Sequence, residues 1–289
     1  VGGRRISCPA GRFGSRLGEK NPLCFGPCKE GYYCPEGSYN ERQLSCGGPH
    51  HYCPLGSGKP VEASLGYFTE EEENNGGDNG ERNTRQLMCD PGHYCVKGER
   101  YECPIGRFGS TYGLHTSACS GKCFGGYYCN KASKVPTEND CGGSHLFCPN
   151  GTGVPKHVHL GYYTNSGPPH QRSSETRCEL GHWCNFTTGV RSDCPAGRYG
   201  GVLGLHNDTC SGNCTPGFYC PSASVDSDEE RCGNPKYFCP GGTPIRRLVS
   251  LGYHSYHGTE PATYYASEPL SSGQQGQKFE LKEIPDTRY

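Results

Sequence analysis

The sequence predicts a small disulfide-rich, irregular β fold, laid out as an elongated tandem array of cysteine-rich modules with almost no helix. Three observations lead there. Among 289 residues, 16 Leu, 4 Ile, 10 Val and 10 Phe make 40, about 14%, below the roughly 20% under which a chain rarely buries enough apolar surface to fold. The 45 Gly and 23 Pro break the chain into turns, and no apolar pattern of helical or long-strand period is sustained. The 22 cysteines are even in number, so eleven bridges can stand in for a hydrophobic core.

The same composition excludes several classes. A parallel α/β enzyme needs long aliphatic strands and amphipathic helices, which are missing here. No run of about 18 apolar residues exists to span a membrane. The 28 basic and 29 acidic side chains leave a formal charge of −1, which favours neither nucleic acid nor an anionic membrane surface. Val1 opens the chain without a basic-then-apolar leader, so a mature or excised piece is expected.

Internal repetition organises the chain. Cys8, Cys24, Cys28, Cys34, Cys46 and Cys53 are separated by steps of 16, 4, 6, 12 and 7. Those steps recur at Cys103, Cys119, Cys123, Cys129, Cys141 and Cys148, and again at Cys194, Cys210, Cys214, Cys220, Cys232 and Cys239. Cys89 and Cys95 follow the first ladder and Cys178 and Cys184 the second; the third has no such pair. This gives repeats at 1–102, 103–193 and 194–257, then a cysteine-free stretch at 258–289. The start at Val1 lines up with a mid-array segment. The last stretch reads as a linker followed by one alternating strand over Lys278 to Ile284, the start of another domain or a docking arm.

The period is 95 residues and then 91, and the difference falls mainly between Cys53 and Cys89. There the segment 70–81 is acidic, rich in Asn and Gly and without apolar residues, which predicts an exposed loop tip. Its carboxylates could attract calcium, but their order does not match an EF-hand loop.

Other residues keep phase with the cysteines. Pro9, Gly11, Arg12, Phe13 and Gly14 match Pro104, Gly106, Arg107, Phe108 and Gly109, then Pro195, Gly197, Arg198, Tyr199 and Gly200. Leu65-Gly66-Tyr67 returns as Leu160-Gly161-Tyr162 and Leu251-Gly252-Tyr253. A shorter unit, Cys-x-x-Gly-x-aromatic-Cys, starts at Cys28, Cys89, Cys123, Cys178 and Cys214. Each unit is a tight, glycine-permitted bend, and its ring (Tyr33, Tyr94, Tyr128, Trp183 or Tyr219) is expected to cover a disulfide rather than a ligand.

Disulfides are preferred to zinc, since zinc would require 22 reduced thiols and four Asn-x-Ser/Thr sequons point to an oxidising compartment. The sequons lie at Asn150, Asn185, Asn207 and Asn213, and each marks a candidate N-glycan in a turn-like segment. Asn213 is the weakest because its middle residue is a cysteine. The six-cysteine third repeat argues for a self-contained set of six plus a separate small loop, Cys89–Cys95 or Cys178–Cys184. The rival joins Cys89 and Cys95 to Cys103 and Cys119. Within a set, six cysteines allow 15 connectivities, and spacing does not choose among them.

No catalytic residue, metal site or cofactor is assigned. His93 and His182 occupy equivalent positions, as do His115 and His206, which explains them as repeat positions. No nucleophile–base pairing, phosphate-cradling loop or metal-ligand helix motif occurs, and oxidised cysteines cannot act as nucleophiles.

The Cys-Pro-x-Gly-x-aromatic-Gly opening, the Gly31 to Pro35 segment and the Tyr52 to Gly56 segment resemble ephrin-receptor-like cysteine-rich repeats over roughly residues 1–257. That family is more distantly similar to tumour-necrosis-factor-receptor modules. The second likeness implies the bridges Cys8–Cys24, Cys28–Cys46 and Cys34–Cys53, with Cys103–Cys119, Cys123–Cys141 and Cys129–Cys148, and Cys194–Cys210, Cys214–Cys232 and Cys220–Cys239. Arrays with the Leu-Gly-Tyr phrase look most like large secreted or surface proteins of algae and protists, some of which build extracellular fibres such as flagellar hairs. The third repeat's missing cysteine pair departs from the pattern.

The resulting expectation is a structural, glycosylated segment of an extracellular filament or surface assembly, partnered by copies of itself or related repeats. A spacer or ligand-binding ectodomain of a receptor or adhesion protein is the alternative. A fibre subunit should bury Tyr162, Tyr163, Tyr253, Tyr264 and Tyr265 between copies, whereas a spacer would leave them in water.

Overall fold

The computed structural model describes residues 5–71, 81–165, 167–257 and 264–269. The Lys278–Ile284 strand and most of the acidic segment (72–80) lie outside the described residues. The chain forms two compact units, Val1–Lys156 with Ser166–Ser174 and His157–Asn165 with Glu175–Tyr289. Among the described residues there is no helix, and every sheet is a two-stranded pair, most of only two residues per strand.

The recurring element is a β-turn, and it comes more often than the cysteine period suggests. In each, the amide after the third turn residue donates to the first residue's carbonyl, as in Arg12 to Pro9 at 3.1 Å, Tyr32 to Lys29 at 3.1 Å and His93 to Asp90 at 3.2 Å. The third residue is usually a positive-φ glycine, as a type II turn requires. Such turns centre on Gly11, Gly31, Gly66, Gly92, Gly106 and Gly126 in the first unit, and on Gly161, Gly181, Gly197, Gly217 and Gly252 in the second. The Cys46–Cys53 loop and its counterparts make the same bond with His50, His145 and Lys236 in that place. The same bond closes further turns at Gly37, Gly56, Gly151 and Gly242, so each sequence repeat is a succession of turns.

Consecutive turns are joined through the glycine peptide. In the first unit the amides of Cys28, Cys103 and Cys123 donate to the carbonyls of Gly11, Gly92 and Gly106 at 2.8–3.1 Å. In the second, Cys178, Cys194, Cys214 and Cys232 donate to Gly161, Gly181, Gly197 and Gly217 at 2.8–3.1 Å. The glycine amides are used as well, Gly106 donating to Cys129 and Gly197 to Cys220, both at 2.8 Å. Two of these bonds, Cys103 to Gly92 and Cys194 to Gly181, cross the sequence-repeat boundaries at 102/103 and 193/194 without interruption.

The glycine is required by space as well as by dihedral. At Gly106 (φ 79°) a Cβ would overlap the carbonyl oxygen of Gly151, and at Gly197 (φ 90°) that of Gly242. Turn and partner thus meet backbone to backbone, where only glycine fits.

Cysteine supplies the core. Of the buried apolar residues described, Phe13, Phe147 and Val158 are the exceptions to an otherwise all-cysteine set. All 22 cysteines are bridged. The structure joins Cys8–Cys24, Cys103–Cys119 and Cys194–Cys210, together with Cys89–Cys95 and Cys178–Cys184.

Six pairs differ from those implied by the receptor likeness. In place of Cys28–Cys46 and Cys34–Cys53 the structure forms Cys28–Cys34 and Cys46–Cys53. Cys123–Cys141 and Cys129–Cys148 are replaced by Cys123–Cys129 and Cys141–Cys148, and Cys214–Cys232 and Cys220–Cys239 by Cys214–Cys220 and Cys232–Cys239. The reason is local. The glycine turn folds the chain back so that cysteines six residues apart have Cα atoms 5.8 Å apart at Cys28–Cys34, within the usual 4.4–6.8 Å span of a bridge. All five Cys-x-x-Gly-x-aromatic-Cys units close on themselves in this way. Tyr33, Tyr94, Tyr128, Trp183 and Tyr219 are half-buried, while the cysteines of these units are essentially inaccessible.

Candidate functional surface

Each 16-residue disulfide loop is clamped by the arginine that follows its glycine. Arg107 donates to the Ala118 carbonyl at 2.8 Å and Arg198 to Thr209 at 3.0 Å, and Arg12 makes the same bond to Leu23. The carbonyl belongs to the residue before the closing cysteine in the first loop and in the other two alike. His115 and His206 lie exposed on these loops.

The small loops carry a second recurring arrangement. In the first unit the Arg100 guanidinium lies 5.6 Å from the Phe68 ring centroid, and its Nε is 2.9 Å from Asp90 Oδ1. His93 Nδ1 lies 3.3 Å from Asp90 Oδ2. In the second unit Arg191 lies 5.6 Å from the centroid of Tyr163, and its guanidinium is 3.4 Å from Glu179. Tyr163 donates its hydroxyl to Glu179 at 2.8 Å, and His182 pairs with Asp193 at 3.1 Å.

Electrostatics follow from these contacts. Burial and then the hydrogen bond to Glu179 raise the Tyr163 phenol above its usual value. Burial alone would raise Glu179, but the hydrogen bonds from Tyr163, its own backbone amide and Arg191 outweigh it and hold the carboxyl low. The hydrogen bond to Glu99 raises Tyr101. Arg100 with Asp90 and Arg191 with Glu179 thus staple two hairpins together in each unit, while the equivalent histidines differ, His93 pairing with Asp90 inside its own turn and His182 with Asp193 across its hairpin.

A shallow depression in the first unit lies among Phe13, Phe25, Pro27 and Leu55, bordered by Lys29 and Glu41. Phe25 packs 5.4 Å from Phe13, centroid to centroid, and the Arg16 guanidinium sits 5.6 Å from its ring. The positions of Phe25, Pro27 and Leu55 are held by Ser120, Lys122 and Asn150 in the second repeat and by Ser211, Asn213 and Gly241 in the third. The apolar face is thus confined to the first repeat, a contrast that only alignment of all three copies brings out.

The four sequon asparagines are placed as follows. Asn150, Asn207 and Asn213 are exposed and Asn185 is half-buried at the end of a strand. Tyr162 and Tyr163 are half-buried and Tyr253 is 46% exposed; of Tyr264 and Tyr265 only the strand backbone is described, and their side chains lie outside the described residues. Among the described residues, no cluster of three or more His, Cys, Asp or Glu could hold a metal ion, and no helix is long and apolar enough to cross a membrane. Glu70 pairs with Arg85 at 2.8 Å, so one carboxylate at the edge of the acidic segment is already engaged. No protein-family model matches the chain, and no curated protein matches it in sequence.

Proposed function

We propose that this chain is a structural segment of an extracellular filament or cell-surface assembly, non-catalytic and glycosylated, and related to the ephrin-receptor-like cysteine-rich repeats. The observation that carries this reading is the repeated docking of one turn on the next through the glycine peptide, with every cysteine oxidised. Eleven bridges suit an oxidising compartment such as the cell exterior. A fold whose steps interact with their sequence neighbours extends in one dimension by adding steps, and a common backbone frame presented at each step favours head-to-tail contacts between copies.

A second reading has one observation in its favour. The Phe13, Phe25 and Leu55 depression belongs to the first repeat alone, as expected of a receptor or adhesion ectodomain in which one module binds a ligand and the others act as spacers. Immuno-electron microscopy of native extracellular material, with a label raised against this segment, separates the two. Label at fixed spacing along filaments is the expected result; label scattered over the cell membrane would establish the receptor reading instead.

A further inference from the structure

The four sequons share a motif but not a geometry, and what separates them is the threonine. At Asn185 the side-chain oxygen accepts both the amide of Thr187 at 2.9 Å and its hydroxyl at 2.6 Å. At Asn207 it accepts the Thr209 amide at 3.2 Å and, again, the hydroxyl. Both threonines are exposed. Neither threonine is imposed by the repeat. Thr187 belongs to a stretch of ten steps between Cys184 and Cys194 where the first repeat has eight between Cys95 and Cys103, and Thr209 replaces Leu23 and Ala118.

The other two threonines are committed elsewhere. Thr152 is 6% exposed and donates its hydroxyl to the Pro149 carbonyl at 2.6 Å. Ser57 and Thr243, the same position in the other repeats, make the same bond to Pro54 and Pro240. The Thr152 hydroxyl is therefore a turn-closing group used in every repeat, and Asn150 precedes it by coincidence. Such a bond spans three residues and forms locally, so it competes for the hydroxyl from the first folding events. Thr215 is held by its amide on the Ser227 carbonyl at 2.8 Å and its hydroxyl on Ser227 at 3.0 Å. Its neighbour Cys214 is 2% exposed and bridged to Cys220.

We infer that Asn185 and Asn207 carry N-linked glycans and that Asn150 and Asn213 do not. In the transfer, the side-chain amide nitrogen forms a bond to C1 of a lipid-linked oligosaccharide, the C1–oxygen bond to the lipid pyrophosphate breaks with its electron pair, and the amide proton leaves to a base of the transferase. The Asn-to-Thr hydroxyl contact is the conformation in which the sequon's hydroxyl and amide are presented together. Both modified residues fall within the second compact unit.

The inference rests on the extracellular reading only for the route through a secretory pathway, and the test supplies that route. The 289-residue chain is secreted behind a foreign signal peptide from a eukaryotic host, enzymatically deglycosylated in 18O water, and peptide-mapped. The 18O-labelled aspartate is expected at positions 185 and 207, with Thr187→Ala and Thr209→Ala each removing one glycan from the intact mass. Glycan on Asn150 or Asn213, or bare Asn185 and Asn207, would overturn the inference. Native protein without glycan, alongside host protein glycosylated at 185 and 207, would uphold the site choice and overturn the secretory reading.

Discussion

The two stapled hairpins set side by side show what the backbone fixes and what it leaves open. Phe68, Asp90, His93 and Arg100 in the first unit correspond to Tyr163, Glu179, His182 and Arg191 in the second. The backbone frame is the same: Thr69 donates to the Gly98 carbonyl at 2.9 Å and Thr164 to Gly189 at 3.1 Å. The polar wiring differs. Asp90 is shared by Arg100 and His93, whereas Glu179 takes a phenol and Arg191 while His182 turns to Asp193. Glycines and bridges thus define the step, and the side chains on it are interchangeable as long as each acidic group finds a donor.

That division ranks the effects of mutation. The largest belongs to a glycine in backbone contact. Gly106→Ala forces a left-handed φ on alanine, about 1–2 kcal/mol, and drives the Cβ into the Gly151 carbonyl, adding about 1–3 kcal/mol of overpacking. Gly37 has a similar φ of 81° but nothing within 4 Å of its Cβ position, so Gly37→Ala should show only the first cost. Urea unfolding of the two variants checks this; equal losses would show that dihedral strain, rather than close approach, fixes the glycine turns.

Bridges come next. Replacing Cys103 and Cys119 with Ser opens a 16-residue step, about 3 kcal/mol in the chain-entropy relation, while replacing Cys178 and Cys184 opens a 6-residue step, about 2 kcal/mol. Proteolytic mapping of the wild-type chain should recover Cys28–Cys34 and Cys46–Cys53 as separate linked peptides. Recovery of a Cys28–Cys46 peptide would restore the receptor-type pairing and break the comparison between the small loops.

How much of this was legible in the sequence depends on the range of the interaction. The Cys89–Cys95 loop follows from spacing and from the six-cysteine third repeat, because a glycine bend between near cysteines is a local event. The identical unit at Cys28–Cys34 was equally local, yet the analogy with a distant family pointed its cysteines elsewhere; the five-fold recurrence of the unit was the better guide. The finer succession of turns was hidden because the turns at His50, His145 and Lys236 lack glycine and break the visible pattern. The contacts of Gly106 with Gly151 and of Gly197 with Gly242 join turns of one repeat that lie further apart than any single short motif spans. Of the four sequons, the motif alone marked Thr152 and Thr187 alike, and only their hydrogen bonds tell them apart.

The smallest effect tests the wiring itself. Tyr163→Phe makes the second hairpin resemble the first and removes one hydrogen bond to a carboxylate, about 1–2 kcal/mol at neutral pH, while Arg191 stays over the ring. Because Glu179 is held below its usual value in the folded state, its contribution is present above the unfolded carboxyl range near 4.5 and is lost as pH falls through the lower folded value. Tyr163 is raised, so its contribution is present below the unfolded phenol value near 10 and is lost as pH rises through the folded one. Thermal unfolding of wild type and Tyr163→Phe across pH should therefore show the largest gap between those limits, closing at both ends. A gap that persists unchanged below the carboxyl range would mean that the phenol acts by packing, and the two hairpins would then differ in shape rather than in charge.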